Sequence, residues 1–155
     1  MKARIAFGVV SLLGGGAAAS LLWVELDRNG STGPSAERLE RGQAIYAENC
    51  ASCHGAELEG QPNWRRRLPT GRMPAPPHDA SGHTWHHPDD MLFRITKEGP
   101  AAVVGGSYES DMPGFGGVLS DDEILAVLAF IESTWPERER THQAEISRRE
   151  KEGNR

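Results

Sequence analysis

The chain has 155 residues and a formal net charge of -5, and 37% of its residues are hydrophobic. This length suits a single domain, and the apolar content is low for a large protein core. An acidic chain is a poor match for nucleic acid, because phosphate binding needs clustered Lys and Arg side chains.

The N-terminal segment, residues 1–26, has the pattern of a membrane anchor or a signal peptide. Lys2 and Arg4 form a positively charged start, and residues 5–24 contain no charged side chain. As a helix this run would be about 30 Å long, which is enough to span a bilayer. Small residues at 17–19 are typical of a signal cleavage site, so a secretory signal is the alternative. We expect an uncleaved anchor with its positive end in the cytoplasm, and either arrangement exports the rest of the chain.

A polar linker covers residues 27–35, and a helix is predicted to begin near Ser35 and to end near Cys50. Ser35 is a suitable N-cap, and Glu37 lies in the first turn, where the helix dipole favours an acid. Apolar residues at helical spacing give this helix one buried face. They are Leu39, Ile45 and Tyr46. Gly42 lowers helix stability, so we expect it to permit the close approach of another helix.

The centre of the sequence is Cys50-Ala51-Ser52-Cys53-His54, which has the C-x-x-C-H pattern of covalent haem attachment. Two thiols at this spacing can add to the two vinyl groups of one haem and form two thioether bonds. His54 then lies beneath the iron and offers an imidazole nitrogen as the proximal ligand. We therefore predict one haem c, attached through Cys50 and Cys53. Such a large apolar group also explains how a chain with few hydrophobic residues can fold around a core.

Other kinds of site use two cysteines at this spacing. A dithiol redox motif is expected among alternating strands and helices, which this sequence lacks. A zinc site would need the later histidines, and the distance from Cys53 to His83 is far longer than a finger loop. The remaining alternative is a disulfide between the two cysteines, which are the only ones in the chain.

Residues 56–87 carry five prolines, which exclude a long helix and predict a wrapping loop. Four histidines lie at its end, namely His78, His83, His86 and His87. Such a cluster can bind copper or zinc, or it can supply an alternative haem ligand. The other interpretation is that Pro88 begins a helix and that these histidines pack or face solvent.

A short helix is predicted over residues 89–97, and a glycine-rich loop is predicted over 101–117. The apolar face expected for this helix consists of Met91, Leu92 and Ile95. This face is expected to cover the edge of the cofactor.

A last helix is predicted from Asp121 to about Thr134, and it begins with a capping box of Ser120 and Glu123. Its expected buried stripe consists of Ile124, Leu125, Val127, Leu128 and Ile131. The charged residues 136–155 form either a solvated helix or a disordered tail.

Residues 37–135 resemble the class I, single-haem c-type cytochromes. The resemblance rests on the haem motif, the last helix, Gly42 with Tyr46, and Met112-Pro113-Gly114-Phe115. In that family the first and last helices cross near a small residue and an aromatic, which implies that Gly42 and Tyr46 meet Phe130. The implied fold is all-α, a small class I cytochrome c-like helix bundle wrapped around one covalently attached haem, here with an N-terminal membrane or targeting helix. The implied domains are the leader (1–26), the linker (27–35), the cytochrome c domain (36–135) and the charged tail (136–155).

The resemblance also implies how the haem is held. Loops of this family deliver hydrogen-bond donors to the haem propionates, and Arg72 and Trp85 match that role here. Met112 matches the distal loop that supplies the sixth ligand, because it lies in a glycine-rich stretch just before the last helix. Met73 in the wrapping loop is the competing ligand, whereas Met91 is expected in the core.

Together these patterns predict an electron-transfer protein with His54 and Met112 as axial ligands of the haem iron, and no enzymatic activity. With both axial positions filled no small-molecule substrate binds, so the expected partners are redox proteins such as an oxidase, a reductase or another cytochrome. The predicted location is the periplasmic side of the bacterial inner membrane, anchored through the N-terminal segment, or otherwise the soluble periplasm. Two alternatives stay open: a haem enzyme subunit or gas sensor with a labile sixth ligand, and a copper-handling protein that uses the His78–His87 cluster.

Overall fold

A computed structural model describes residues 33–153, and this part of the chain is all-helical, as predicted. The predicted anchor or signal segment lies outside the described residues. Among the helices described, none combines the length and the apolar character needed to cross a bilayer. In chain order the elements are α1 (Ala36–Asn49), α2 (Ala51–His54), a short 3-10 helix (Thr84–His86), α3 (Asp89–Glu98), α4 (Pro100–Val104), α5 (Asp121–Ser133) and α6 (Glu137–Gly153).

Side-chain caps set where α1 and α5 begin. The Ser35 hydroxyl accepts a hydrogen bond of 3.2 Å from the backbone N–H of Arg38. At α5, Ser120 and Glu123 form the predicted reciprocal capping box. Both helices begin where the sequence predicts, because a cap satisfies free N–H groups with side chains only a few residues away.

Gly42 is the point at which α1 crosses α5. A Cβ atom at this position would lie 2.1 Å from the carbonyl oxygen of Ala126 and 2.9 Å from the Cβ of Phe130. The rings of Tyr46 and Phe130 also meet here, with centroids 5.7 Å apart. The crossing predicted for the first helix and the helix that begins at Asp121 is therefore confirmed.

The buried face of α5 differs by one position from the prediction. Leu125 is 40% exposed, whereas Ala126 is only 2% exposed. The small Ala126 occupies the interface because a larger side chain would push α1 away. The hydrophobic core consists of Ile45, Tyr46, Leu58, Leu119, Ile124, Ala126, Val127, Ile131 and Trp135.

The buried face of α3 is also rotated from the prediction. Met91 is exposed, while Leu92 and Phe93 pack against the core and Thr96 is buried. Thr96 tolerates burial because its hydroxyl donates to the carbonyl of Leu92 at 2.9 Å.

The prediction of an unbroken loop over residues 101–117 was wrong in its first part. Pro100 begins the short helix α4, and the loop starts only after Val104. Proline suits this first helical position because its missing N–H would have no partner there.

The charged tail forms α6, and its buried side chains are polar. Gln143 donates to Oδ1 of Asp89 at 2.6 Å, and the backbone N–H of Asp89 donates to the Ser147 hydroxyl at 3.0 Å. The N-cap of α3 is Pro88, which offers no capping side chain. Helix α6 therefore caps α3 from a distance of more than fifty residues along the chain.

Candidate haem site

Cys50, Cys53 and His54 lie on one turn, with Cys50 between α1 and α2 and the other two residues in α2. Cys50 follows the last residue of α1, and its carbonyl accepts from the backbone N–H of His54 at 2.9 Å. Cys50 is half-buried, Cys53 is exposed and His54 is buried. The fold thus presents both thiols and the imidazole from a single short segment.

The His54 ring has a defined tautomer. Its Nδ1 atom lies 2.8 Å from the carbonyl oxygen of Pro76. A carbonyl only accepts, so Nδ1 carries the hydrogen and Nε2 keeps its lone pair for a metal. Burial lowers the pKa of His54, against the opposing effect of the Pro76 hydrogen bond. The imidazole is therefore neutral and oriented for ligation.

The chain reverses direction immediately after His54. Gly55 has a φ of 84°, and a Cβ atom there would meet the carboxylate of Glu59 at 2.1 Å. Its carbonyl accepts a 2.8 Å hydrogen bond from the Tyr46 hydroxyl. Burial raises the pKa of Tyr46, so the phenol remains a donor. A core residue of α1 thereby anchors the turn that carries the haem motif.

The two cysteines are separate thiols, and burial makes one of them harder to ionise. Both cysteines are free, and no disulfide joins them. Burial, together with the nearby Cys53, raises the pKa of the Cys50 thiol to about 11. An attacking thiol needs a lowered pKa, so Cys50 is a poor nucleophile in its buried position.

Met112 lies in the loop between α4 and α5 and is half-buried. Its backbone N–H donates to the Ser110 hydroxyl at 3.1 Å. Further along, the N–H groups of Phe115 and Gly116 donate to the last carbonyls of α3, each at 2.9 Å. The loop is therefore tied to α3 on the C-terminal side of Met112. The competing candidate, Met73, is also half-buried, so the choice of Met112 stays a prediction.

The two predicted propionate contacts have protein partners. Arg72 pairs with Glu109 at 3.3 Å and also with Asp111, and so joins the wrapping loop to the loop of Met112. These side chains are largely exposed, and such pairs contribute about 0–1 kcal/mol each. Trp85 donates from Nε1 to the carbonyl of Ala80 at 3.3 Å. Their contact with propionates stays a prediction.

The four histidines of the wrapping loop do not form one group. His78 stacks on His54, with ring centroids 4.0 Å apart. His83 stacks on Trp64 at 5.2 Å and meets the edge of His87 at 5.3 Å. Over residues 33–153, no three His, Cys, Asp or Glu side chains are grouped so that they would hold a metal ion.

The residues present fit a covalently held haem. Two unbonded thiols and a buried imidazole with a free Nε2 share one turn. In addition, Nδ1 of His83 is the one buried side-chain polar atom of the described residues that has no hydrogen-bond partner. An unsatisfied buried group costs about 1–3 kcal/mol, and a polar group of a bound cofactor would remove that cost.

Sequence reasoning missed the residues that hold His54. A histidine that binds a metal needs a hydrogen-bond acceptor for its second ring nitrogen, so such an acceptor could have been expected near His54. That rule does not say that Pro76 supplies the acceptor. His78 was considered as a possible metal or haem ligand or as a packing residue, and nothing in the sequence joins it to Trp135, whose Nε1 donates to the His78 carbonyl at 2.7 Å.

Comparison with known proteins gives one family. A family model described as Cytochrome c matches residues 39–135, which is more than half of the chain. The match includes the haem motif, the wrapping loop, Met112 and α5, and it ends before α6. Searches among curated proteins and among solved structures found no match.

Proposed function

The chain belongs to the cytochrome c family, and from this we propose that it carries electrons between redox proteins with His54 and Met112 as the axial ligands of its haem iron. As a member of the family it is a haem-binding electron-transfer protein with covalently attached haem c. Bound haem supplies one-electron cycling of its iron between the ferric and ferrous states. Cys50 and Cys53 would hold it through thioether bonds.

The observation that carries the proposal is the hydrogen bond from His54 to Pro76. It leaves Nε2 as the free nitrogen and restrains the ring, and the surrounding core excludes water from it. A ligand that is already oriented needs little rearrangement when the charge on the iron changes. A small rearrangement is what an electron carrier requires.

Met112 is proposed as the second ligand because of its side-chain chemistry and its place in the fold. A thioether ligand raises the potential of a haem relative to a second histidine. Met112 is half-buried in a loop that is hydrogen-bonded to α3. A loop tied in this way would keep the sulfur at the iron in both oxidation states.

We further propose a carrier role rather than an enzymatic one. Filling both axial positions with protein side chains leaves no iron position for a substrate. The proposed partners are an oxidase, a reductase or another cytochrome. Cytochrome c domains are commonly extracellular or periplasmic, and the apolar segment over residues 5–24 supports a periplasmic location with a membrane anchor.

A redox-titrated visible spectrum of the purified protein tests the ligation. We expect a low-spin spectrum with histidine and methionine ligands. Carbon monoxide should bind the native ferrous protein slowly, if at all. Rapid binding would favour the haem enzyme or gas sensor, and a bis-histidine spectrum would refute Met112.

Covalent attachment is tested by extraction with acid acetone followed by denaturing electrophoresis. The haem should stay with the wild-type polypeptide, and it should be released from a control in which Cys50→Ala and Cys53→Ala are combined. Release from the wild type would contradict the attachment.

A further inference from the structure

The imidazole of His78 lies flat against that of His54. The ring centroids are 4.0 Å apart and the ring planes differ by 23°. A flat neighbour at this distance resists rotation of the His54 ring, because rotation would drive the ring edge into the face of His78. We propose that His78 is a positioning residue, which sets the plane of the His54 imidazole on the haem iron. This proposal rests on the proposed ligation of the iron by His54.

The Pro76 hydrogen bond alone leaves the ring some freedom. Hydrogen bonds tolerate angular deviations of some tens of degrees before they weaken steeply. The stack with His78 acts on the face of the ring, whereas Pro76 acts on its edge. The two restraints are therefore complementary, and they come from positions only two residues apart.

His78 is itself held by three hydrogen bonds. Its Nδ1 lies 2.8 Å from the hydroxyl of Thr84, and its backbone N–H donates to the carbonyl of Leu58 at 2.8 Å. Its carbonyl accepts from Nε1 of Trp135 at 2.7 Å, and Trp135 is almost completely buried. The orientation of His78 is thus connected to the core at the end of α5.

The plane of an axial imidazole has a measurable consequence. It determines which iron d orbital interacts with the imidazole π system, and so how unpaired spin spreads over the haem in the ferric state. The hyperfine-shifted haem methyl resonances and the anisotropy of the electron paramagnetic resonance spectrum both report this distribution. A change in protein stability without a change in the imidazole plane would not shift either signal.

The test compares two variants of His78 in the ferric holoprotein. His78→Leu fills the space but removes the flat face, so the spread of methyl shifts and the resonance anisotropy should move away from the wild type, with a change in midpoint potential. His78→Phe restores a flat ring and should return all three readings toward the wild type. Thr141→Leu, at an exposed position of α6, is the control and should change none of them.

Wild-type spectra in His78→Leu would overturn the proposal, and so would a His78→Phe protein that matches His78→Leu. If His78→Leu does not accumulate with haem, His78→Phe and Thr84→Val carry the test. Thr84→Val removes one support of the ring and should shift the methyl pattern, and an unshifted pattern would overturn the proposal. A wild-type spectrum without histidine ligation would refute the proposed function instead, so the two failures are distinguishable.

Discussion

The substitution Gly42→Ala tests the tightest contact of the fold. A Cβ atom at Gly42 would lie 2.1 Å from the carbonyl oxygen of Ala126 and 2.7 Å from its carbonyl carbon. Because the obstacle is backbone, no side-chain rotation relieves it. Ordinary contact begins at 3.4 Å, so α1 and α5 would have to separate by about 1.3 Å.

Two opposing effects decide the size of the change. Overpacking a well-packed core costs about 1–3 kcal/mol. Alanine is a better helix former than glycine by about 1 kcal/mol, and this gain opposes the loss. The contact involves backbone and cannot relax easily, so we expect a cost in the upper part of that range, about 2–3 kcal/mol. After the gain of about 1 kcal/mol, Gly42→Ala should lower the free energy of unfolding by about 1–2 kcal/mol.

The assay is guanidinium unfolding of the ferric holoprotein, followed by haem absorbance and far-ultraviolet circular dichroism. Ala44→Gly is the matched control, because Ala44 is an exposed position of the same helix. The Ala44→Gly variant measures only the difference in helix propensity between alanine and glycine, and it should lower the free energy of unfolding by about 1 kcal/mol. The corrected cost of the contact is then the loss in Gly42→Ala plus the loss in Ala44→Gly.

The sign of the effect is the critical result. If α1 and α5 were not in close contact, Gly42→Ala would raise stability by as much as Ala44→Gly lowers it. A stabilised Gly42→Ala protein would therefore refute the crossing described here.

Three further predictions concern the sixth ligand, the docking of α6 and the leader. Met112→Ala should abolish the weak far-red sulfur–iron band of the ferric protein and lower its midpoint potential, while Met73→Ala should leave both nearly intact; a band retained in Met112→Ala would contradict the assignment. Burial disfavours the ionisation of Asp89, but hydrogen bonds, foremost that from Gln143, outweigh it and lower its pKa. Ionised Asp89 therefore contributes fully to the free energy of unfolding above its unfolded pKa of about 3.9, and this contribution is lost as the pH falls through the lower folded pKa. The stability difference between the wild type and Asp89→Asn should accordingly shrink below about pH 4. A difference that does not change with pH would count against this linkage. Mass spectrometry of the mature protein should find residues 1–26 attached, and a shortened chain in the soluble periplasmic extract would indicate a cleaved signal.

Local features of the fold were accessible from the sequence. The starting points of α1 and α5 follow from the N-cap residues Ser35 and Ser120, because a cap and the N–H groups that it satisfies are neighbours in the chain. The haem motif is equally local, since its two cysteines and its histidine lie on one turn. The buried faces of α3 and α5 were each predicted about one position away from those observed. Periodicity locates an apolar stripe, but the neighbouring helix decides which part of the stripe is covered.

The sequence by itself determined the haem motif and where the main helices begin, because these depend on chemistry and on neighbours within one turn. Only the tertiary structure decided what holds His54 in place. Pro76 reaches its Nδ1 from 22 residues away, and Trp135 reaches the segment of His78 from 57 residues away. The docking of α6 on α3 is likewise decided by hydrogen bonds between distant residues. Such pairs form when the whole chain closes around its core, and their partners are chosen by geometry that no local pattern contains.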